Sequence, residues 1–237
     1  MPASTNKKPV AAKEADLPVP HILNFAPDNA AHLKKIVICL HGFGGGKQGT
    51  KIDRLMAELS PNGVGVIAID LPGHGDNKST LSIDNCVRDI AHTVEFVRRF
   101  KKPVSLYGSS FGGFCALSYL ENTKERFDRI LLSVPAINLY ECHEAHLGEA
   151  NNGVTVTAEY LKTVAKYDII GGARALPPLD IIYAENDSVI DNQKIFELAK
   201  HVKCNLYEIK GSDHWFDVGG RGPKTDAMIK IAIDVLG

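Results

Sequence analysis

Val104-Ser105-Leu106-Tyr107-Gly108-Ser109-Ser110-Phe111-Gly112-Gly113-Phe114-Cys115 decides the fold. It reads as a short apolar strand, an abrupt turn of small residues, and the start of a helix continuing through Ala116, Leu117 and Leu120. Gly108-Ser109-Ser110-Phe111-Gly112 fits the Gly-x-Ser-x-Gly spacing of a nucleophile elbow. A serine at the tip of so tight a turn has the residues two before and two after it pressed close, and glycine removes the Cβ atoms that would clash. The same steric argument chooses between the serines. Ser109 would have Tyr107 and Phe111 at those positions, so Ser110 is the candidate.

Outward from this stretch, apolar runs alternate with helical periodicity. Ile36–Leu40, Val64–Leu71, the strand that begins at Val104 and carries Ser110, Arg129–Val134, Leu179–Ala184 and Val202–Ile209 read as buried strands. Ile52, Leu55, Met56 and Leu59 recur at helical spacing, as do Ile83, Val87, Ile90, Val94 and Val97, and a last helix covers about 224–236. Leu17–Phe25 supplies an edge strand limited by Pro18 and Pro20. The alternation predicts an α/β fold with a mostly parallel sheet, helices on both faces, and active loops at the C-terminal strand ends. Residues 1–16 read as a mobile tail and 17–237 as one domain. Within it, 135–178 is far too long for a strand connection and is expected to form a small cap over those loops, with helical potential at 158–166.

Composition sets bounds. The chain has 237 residues, a formal net charge of −1, 44% hydrophobic and 23% charged residues. That balance gives no electrostatic basis for binding nucleic acid, and no run of about twenty apolar residues suggests membrane insertion. Five dispersed cysteines, Cys39, Cys86, Cys115, Cys142 and Cys204, fit core packing in a reducing cytoplasm rather than a disulfide framework.

Three further features join Ser110. His41-Gly42-Phe43-Gly44-Gly45 follows a buried strand, and an oxyanion needs preorganised N–H donors; the backbone N–H groups of Phe43 and Phe111 are expected to supply them. Asp187 lies just past a strand end, placed to fix the tautomer of an imidazole, whereas Asp191 reads as a helix cap. His214 sits in a loop between the last strand and the last helix, so Ser110, Asp187 and His214 run in nucleophile, acid, base order. Among the other histidines, His41 is expected to position backbone and His74 to belong to a turn. His21, His32, His92 and His201 are expected to be solvated.

Two rival chemistries fit less well. Gly46-Lys47 suggests a phosphate loop, but Gly42 is one residue too near and Gln48 replaces the Ser/Thr that would meet magnesium. His143 and His146 are three apart rather than four, so the zinc-protease pattern is absent and no metal is assigned.

The chain resembles the α/β-hydrolase superfamily from about Leu17 onward, most closely its small carboxylesterase, cinnamoyl (feruloyl) esterase and serine-aminopeptidase-like branch. His41-Gly42-Phe43-Gly44-Gly45, Asp70-Leu71-Pro72-Gly73-His74-Gly75, Gly108–Gly113, Asn186-Asp187-Ser188-Val189 and Asp213-His214 carry the resemblance. Ser109 and Asn77 depart from it, since many relatives have His and Ser there. The resemblance implies a serine hydrolase without cofactor, acting through an acyl-enzyme on a small-molecule acyl ester. A thioesterase, an aminopeptidase-type hydrolase and a non-catalytic binding protein of the same fold are the alternatives, and a homo-oligomer is compatible with the sequence. Phe43, Tyr140, Tyr160, Tyr167 and Trp215 are equally assignable to an acyl pocket or to packing.

Overall fold

The computed structural model describes residues 17–237; the tail expected over 1–16 lies outside the described residues. Seven strands form one sheet. They are β1 (His21–Leu23), β2 (Lys35–Leu40), β3 (Val64–Ile69), β4 (Val104–Ser109), β5 (Ile130–Ser133), β8 (Leu179–Ala184) and β9 (Cys204–Ile209). A two-stranded hairpin, β6 (Ala150–Asn151) with β7 (Val154–Thr155), stands apart from the sheet. The order across the main sheet is β1-β3-β2-β4-β5-β8-β9, and all pairings are parallel except β1 with β3.

Alternating strand residues feed two cores. Ile36, Ile38 and Leu40 of β2 face α2 (Ile83–Arg98) and α3 (Phe111–Glu121), while Val37 and Cys39 face α1 (Thr50–Leu59) and α8 (Pro223–Leu236). A strand covered on both faces must be apolar throughout, which is why these segments read as continuous runs rather than alternations. β9 departs from that reading. It is an edge strand with one neighbour, and Asn205, Leu206 and Glu208 are exposed. Cys39, Cys86 and Cys115 are buried in the cores.

The chain leaves β2 toward β3 on one side and returns to β4 on the other. Connections from the C-terminal ends of β2 and β4 therefore diverge to opposite sides and open a crevice, the switch point where α/β proteins bind ligands. The glycine-rich loop after β2 and Ser110 after β4 both sit there. Between β5 and β8 lies the long insert. It holds α4 (Leu139–Glu144), the β6–β7 hairpin, α5 (Ala158–Val164), α6 (Ile169–Gly172) and a 3-10 turn. Only α5 was legible as helical spacing; the others are too short to show a period. α7 (Asn192–Ala199) follows β8 and is capped by Asp191, whose carboxylate accepts from the Gln193 N–H. Among the described residues no helix is long and apolar enough to cross a membrane.

Candidate active site

Ser110 occupies the tip between β4 and α3 with φ +50° and ψ −113°, a conformation that L-residues adopt only when their surroundings impose it. Those surroundings are backbone. A Cβ on Gly108 would lie 2.7 Å from the Gly112 carbonyl oxygen, and one on Gly112 would lie 2.5 Å from the Leu40 oxygen. The two glycines flanking the tip are thus required by close approach, as the spacing predicted. The Ser110 N–H donates to the Ser133 carbonyl, and its own carbonyl accepts from Phe114 and Ala136.

His214 reaches this serine from the far end of the sheet. Its Nε2 lies 3.0 Å from Ser110 Oγ and its Nδ1 lies 2.8 Å from Asp187 Oδ2. A carboxylate only accepts, so Nδ1 carries the proton and Nε2 is left to accept from the serine hydroxyl. The Asp187 side chain is 0% exposed, and its other oxygen accepts from the Val189 and Ile190 N–H groups. The loops after β8 and β9 are stitched together by Asn186 N–H to the Ser212 carbonyl and Gly211 N–H to Glu185 Oε2. This holds acid and imidazole in register although 27 positions separate them.

The loop after β2 folds as a turn in which Gly45 N–H donates to the Gly42 carbonyl at 3.0 Å. Gly44, its third residue, has φ +70°, the value a type II turn demands at that position. Phe43 sits at the second position, and its ring lies 5.6 Å from that of Phe111, edge to face. The structure brings Phe43 and Phe111 together beside Ser110, and neither N–H donates to any of the described residues.

Polar residues beneath the crevice fix this turn. His41 Nε2 accepts from the Leu71 N–H at 3.0 Å, so Nδ1 donates to the Gly42 carbonyl at 2.8 Å. Burial, with His74 close by, lowers the His41 imidazole to about 4 and keeps it neutral for this double role. Asp70, 1% exposed, accepts from Lys47 N–H, Lys47 Nζ and Asp76 N–H. Burial pushes its carboxyl up, but these hydrogen bonds outweigh burial and hold it below the usual carboxylate range. Lys47, the residue that suggested a phosphate loop, is paired with Asp70 and Asp76. Asn77 donates to the Asp70 carbonyl and to Asp89, a buried link that explains an amide at this position.

His74 is a turn residue as expected, with Nδ1 on the Pro72 carbonyl, but it is also buried against Phe43 and Phe111. His21 differs from expectation: it is half-buried, packs against Phe96 and bonds the Val19 carbonyl through Nδ1. From the insert, His143 lies 4.4 Å from the Phe43 ring and its Nδ1 is 2.8 Å from the Tyr160 hydroxyl, while His146 pairs with Glu149. Burial, then His146 and His74, lowers His143 to about 4. The aromatic residues divide. Phe43 and Tyr160 join the ring cluster over Phe111, and Trp215 stands 55% exposed beside His214. Tyr140 and Tyr167 instead line a groove of about 530 Å³ with Phe114 and Ile137, which none of Ser110, Asp187 or His214 borders. Asp70 was visible as the first polar residue after an apolar strand; His143 had no signal, because its place depends on how the insert folds.

Known proteins share this architecture. The structure "Ferulic Acid bound to Est1E from Butyrivibrio proteoclasticus" superposes with a TM-score of 0.79 at 17% identity, over 92% of this chain and 94% of that one. The monoacylglycerol lipase of Paleococcus ferrophilus gives 0.70 at 15% identity, over 91% and 97%. At such identities the likeness concerns the fold. In sequence, monoacylglycerol lipase ABHD6 of Bos taurus is 33% identical over 107 residues, 44% of this chain and 31% of the relative, so the matched part spans about a third of that protein. The pattern of one family, described as "Serine aminopeptidase, S33", matches residues 31–166, from just before β2 to just beyond α5. That span holds the glycine-rich turn, Asp70 and Ser110 and exceeds half of the sequence, and with the sheet order it fixes the affiliation: this chain belongs to the serine aminopeptidase, S33 family (Hydrolase_4) of the α/β-hydrolase superfamily.

Proposed function

We propose that the protein is a serine hydrolase that cleaves carboxylic esters of small or medium acyl groups through an acyl-enzyme. The observation that carries the reading is the unbroken line from Ser110 Oγ through His214 to Asp187, with two N–H groups beside it that donate to none of the described residues. In this reading His214 Nε2 takes the Ser110 proton as Oγ attacks the carbonyl carbon, and Asp187 stabilises the imidazolium that forms. The N–H groups of Phe43 and Phe111 receive the oxyanion, whose charge is worth most where the donors are already aimed. His214 then protonates the leaving alcohol, and water repeats the sequence to free the acid. Esters are favoured over amides because their carbonyl is the more electrophilic and an alkoxide leaves more readily than an amide anion. The insert, over about 135–178, acts as the cap that shapes the acyl site.

The test is a rate series on p-nitrophenyl esters from acetate to long acyl chains, with Ser110→Ala alongside. Turnover that disappears in the variant supports the reading, and the best chain length sizes the pocket. The family's description favours a second substrate class, peptides with a free N-terminus. Turnover of aminoacyl p-nitroanilides in preference to esters would establish that class. A protein that neither turns over these substrates nor reacts with a fluorophosphonate would instead be a binding protein on the same fold.

A further inference from the structure

The β6–β7 hairpin ends in Asn152-Gly153, with φ +48° and +80° and Asn151 paired to Val154. Two left-handed residues between paired strands make a type I′ turn, for which Asn-Gly is the preferred sequence. The hairpin geometry fixes where the Asn152 side chain goes. Its Nδ2 donates to the Gly44 carbonyl at 2.9 Å, 108 positions back in the chain. Beside it, Asn151 is seated so closely on Gly44 that a Cβ there would lie 2.8 Å from its Cγ.

The Gly44 carbonyl and the Gly45 N–H are two ends of one planar peptide. The N–H end closes the turn on Gly42, and the carbonyl end is held by Asn152. A rigid plane gripped at both ends cannot rotate, and rotation of that plane would open the turn that presents the Phe43 N–H. On its other flank Phe43 meets His143, itself tied to Tyr160. The insert therefore touches the turn on both sides of Phe43.

Resting on the serine-hydrolase reading above, we propose that Asn152 is a positioning residue for the oxyanion donor: it holds the Gly42–Gly45 turn in the shape that aims the Phe43 N–H at the reacting carbonyl. The insert thereby sets the reactivity of Ser110 as well as its selectivity. A single surface hydrogen bond of this kind contributes little to folding, so an effect on stability and an effect on rate are separable.

Two variants test this. Asn152→Gly keeps the left-handed turn and loses the donor; Asn152→Asp keeps shape and backbone tolerance and replaces the donor with an acceptor. For each, kcat and KM are measured on the best p-nitrophenyl ester, together with affinity for an alkyl boronic acid, whose tetrahedral serine adduct occupies the oxyanion site. Loss of one oxyanion donor costs about 10²–10³ in kcat, and a misaimed one is expected to cost about tenfold. That loss should fall on kcat, with KM within about twofold, boronate affinity weakened by a similar factor, and the urea midpoint only slightly lowered. Rates within about twofold of the parent in both variants overturn the proposal. So does a change confined to KM, or a kcat loss with boronate affinity intact. If the parent protein is active and Ser110→Ala is not, any of these results counts against Asn152 alone. A parent without turnover or fluorophosphonate labelling removes the hydrolase reading, and this proposal with it.

Discussion

Ser110 Oγ and His214 Nε2 lie 3.0 Å apart although 104 positions separate them, because β4 and β9 end on the same edge of one parallel sheet. The distance is that of a hydrogen bond ready to pass a proton. Ser110→Ala is expected to lower kcat/KM by about 10⁴-fold or more while leaving the fold intact. Asp187→Asn, which spoils the tautomer without changing shape, should cost on the order of 10⁴-fold in kcat. Ester turnover and circular dichroism on the purified variants check both; near-normal rates in either would remove that residue from the mechanism.

Gly112 is expected to tolerate nothing larger. The added carbon of Gly112→Ala meets the Leu40 and His41 carbonyl oxygens at 2.5 and 2.6 Å, and both are backbone at the end of a central strand. Destabilisation of about 3 kcal/mol is expected, at the upper end of overpacking costs. Gly49→Ala is the control, since nothing lies within 4 Å of that position; a poorer N-cap for α1 is offset by a less flexible unfolded chain, so it should stay within about 1 kcal/mol. Urea unfolding of the two variants makes the comparison.

Lys47→Met should destabilise the protein by about 3 kcal/mol, because it leaves the Asp70 carboxylate buried with only backbone donors. The pH dependence follows from the depressed Asp70 pKa. Its contribution is present above 3.8, the ordinary value, and is lost as pH falls through the lower folded value. Without Lys47 the folded value rises, so acid unfolding should begin at higher pH. Unfolding followed by fluorescence from pH 7 down to pH 2 would show this, and superimposable acid limbs would refute it.

Glu121 behaves in the opposite sense. Burial, aided by the nearby Asp168 carboxylate, pushes its carboxyl from 4.5 up to about 7, and Oε1 is buried without a hydrogen-bond partner. A folded state that holds the proton more tightly is favoured below pH 4.5, and this advantage is lost as pH rises through about 7. Glu121→Gln should therefore match the parent near pH 4 and exceed it in stability at pH 8. Chemical denaturation at the two pH values decides; a gain that is equal at both would exclude ionisation as its cause.

The α/β-hydrolase fold was legible in the amino-acid pattern alone, as were Ser110, Asp187 and His214, the residues that this fold brings together. The reason is local: strands buried on both faces are continuously apolar, and a serine in a strained turn needs glycine two residues away on either side. Both demands act over fewer than ten residues, so they leave a readable pattern. The edge position of β9 shows only in Asn205 and Glu208, which interrupt its apolar residues because a strand with a single neighbour need not be apolar throughout. How distant polar groups hold the turn at Phe43 was not legible in the sequence and shows only in the folded chain. Asp70 with Lys47, Asn77 with Asp89, and Asn152 on Gly44 meet across separations of 12 to 108 positions. A hydrogen bond requires two atoms to be near in space and places no periodicity on the chain between them, so it becomes visible only when the sheet has brought its ends together.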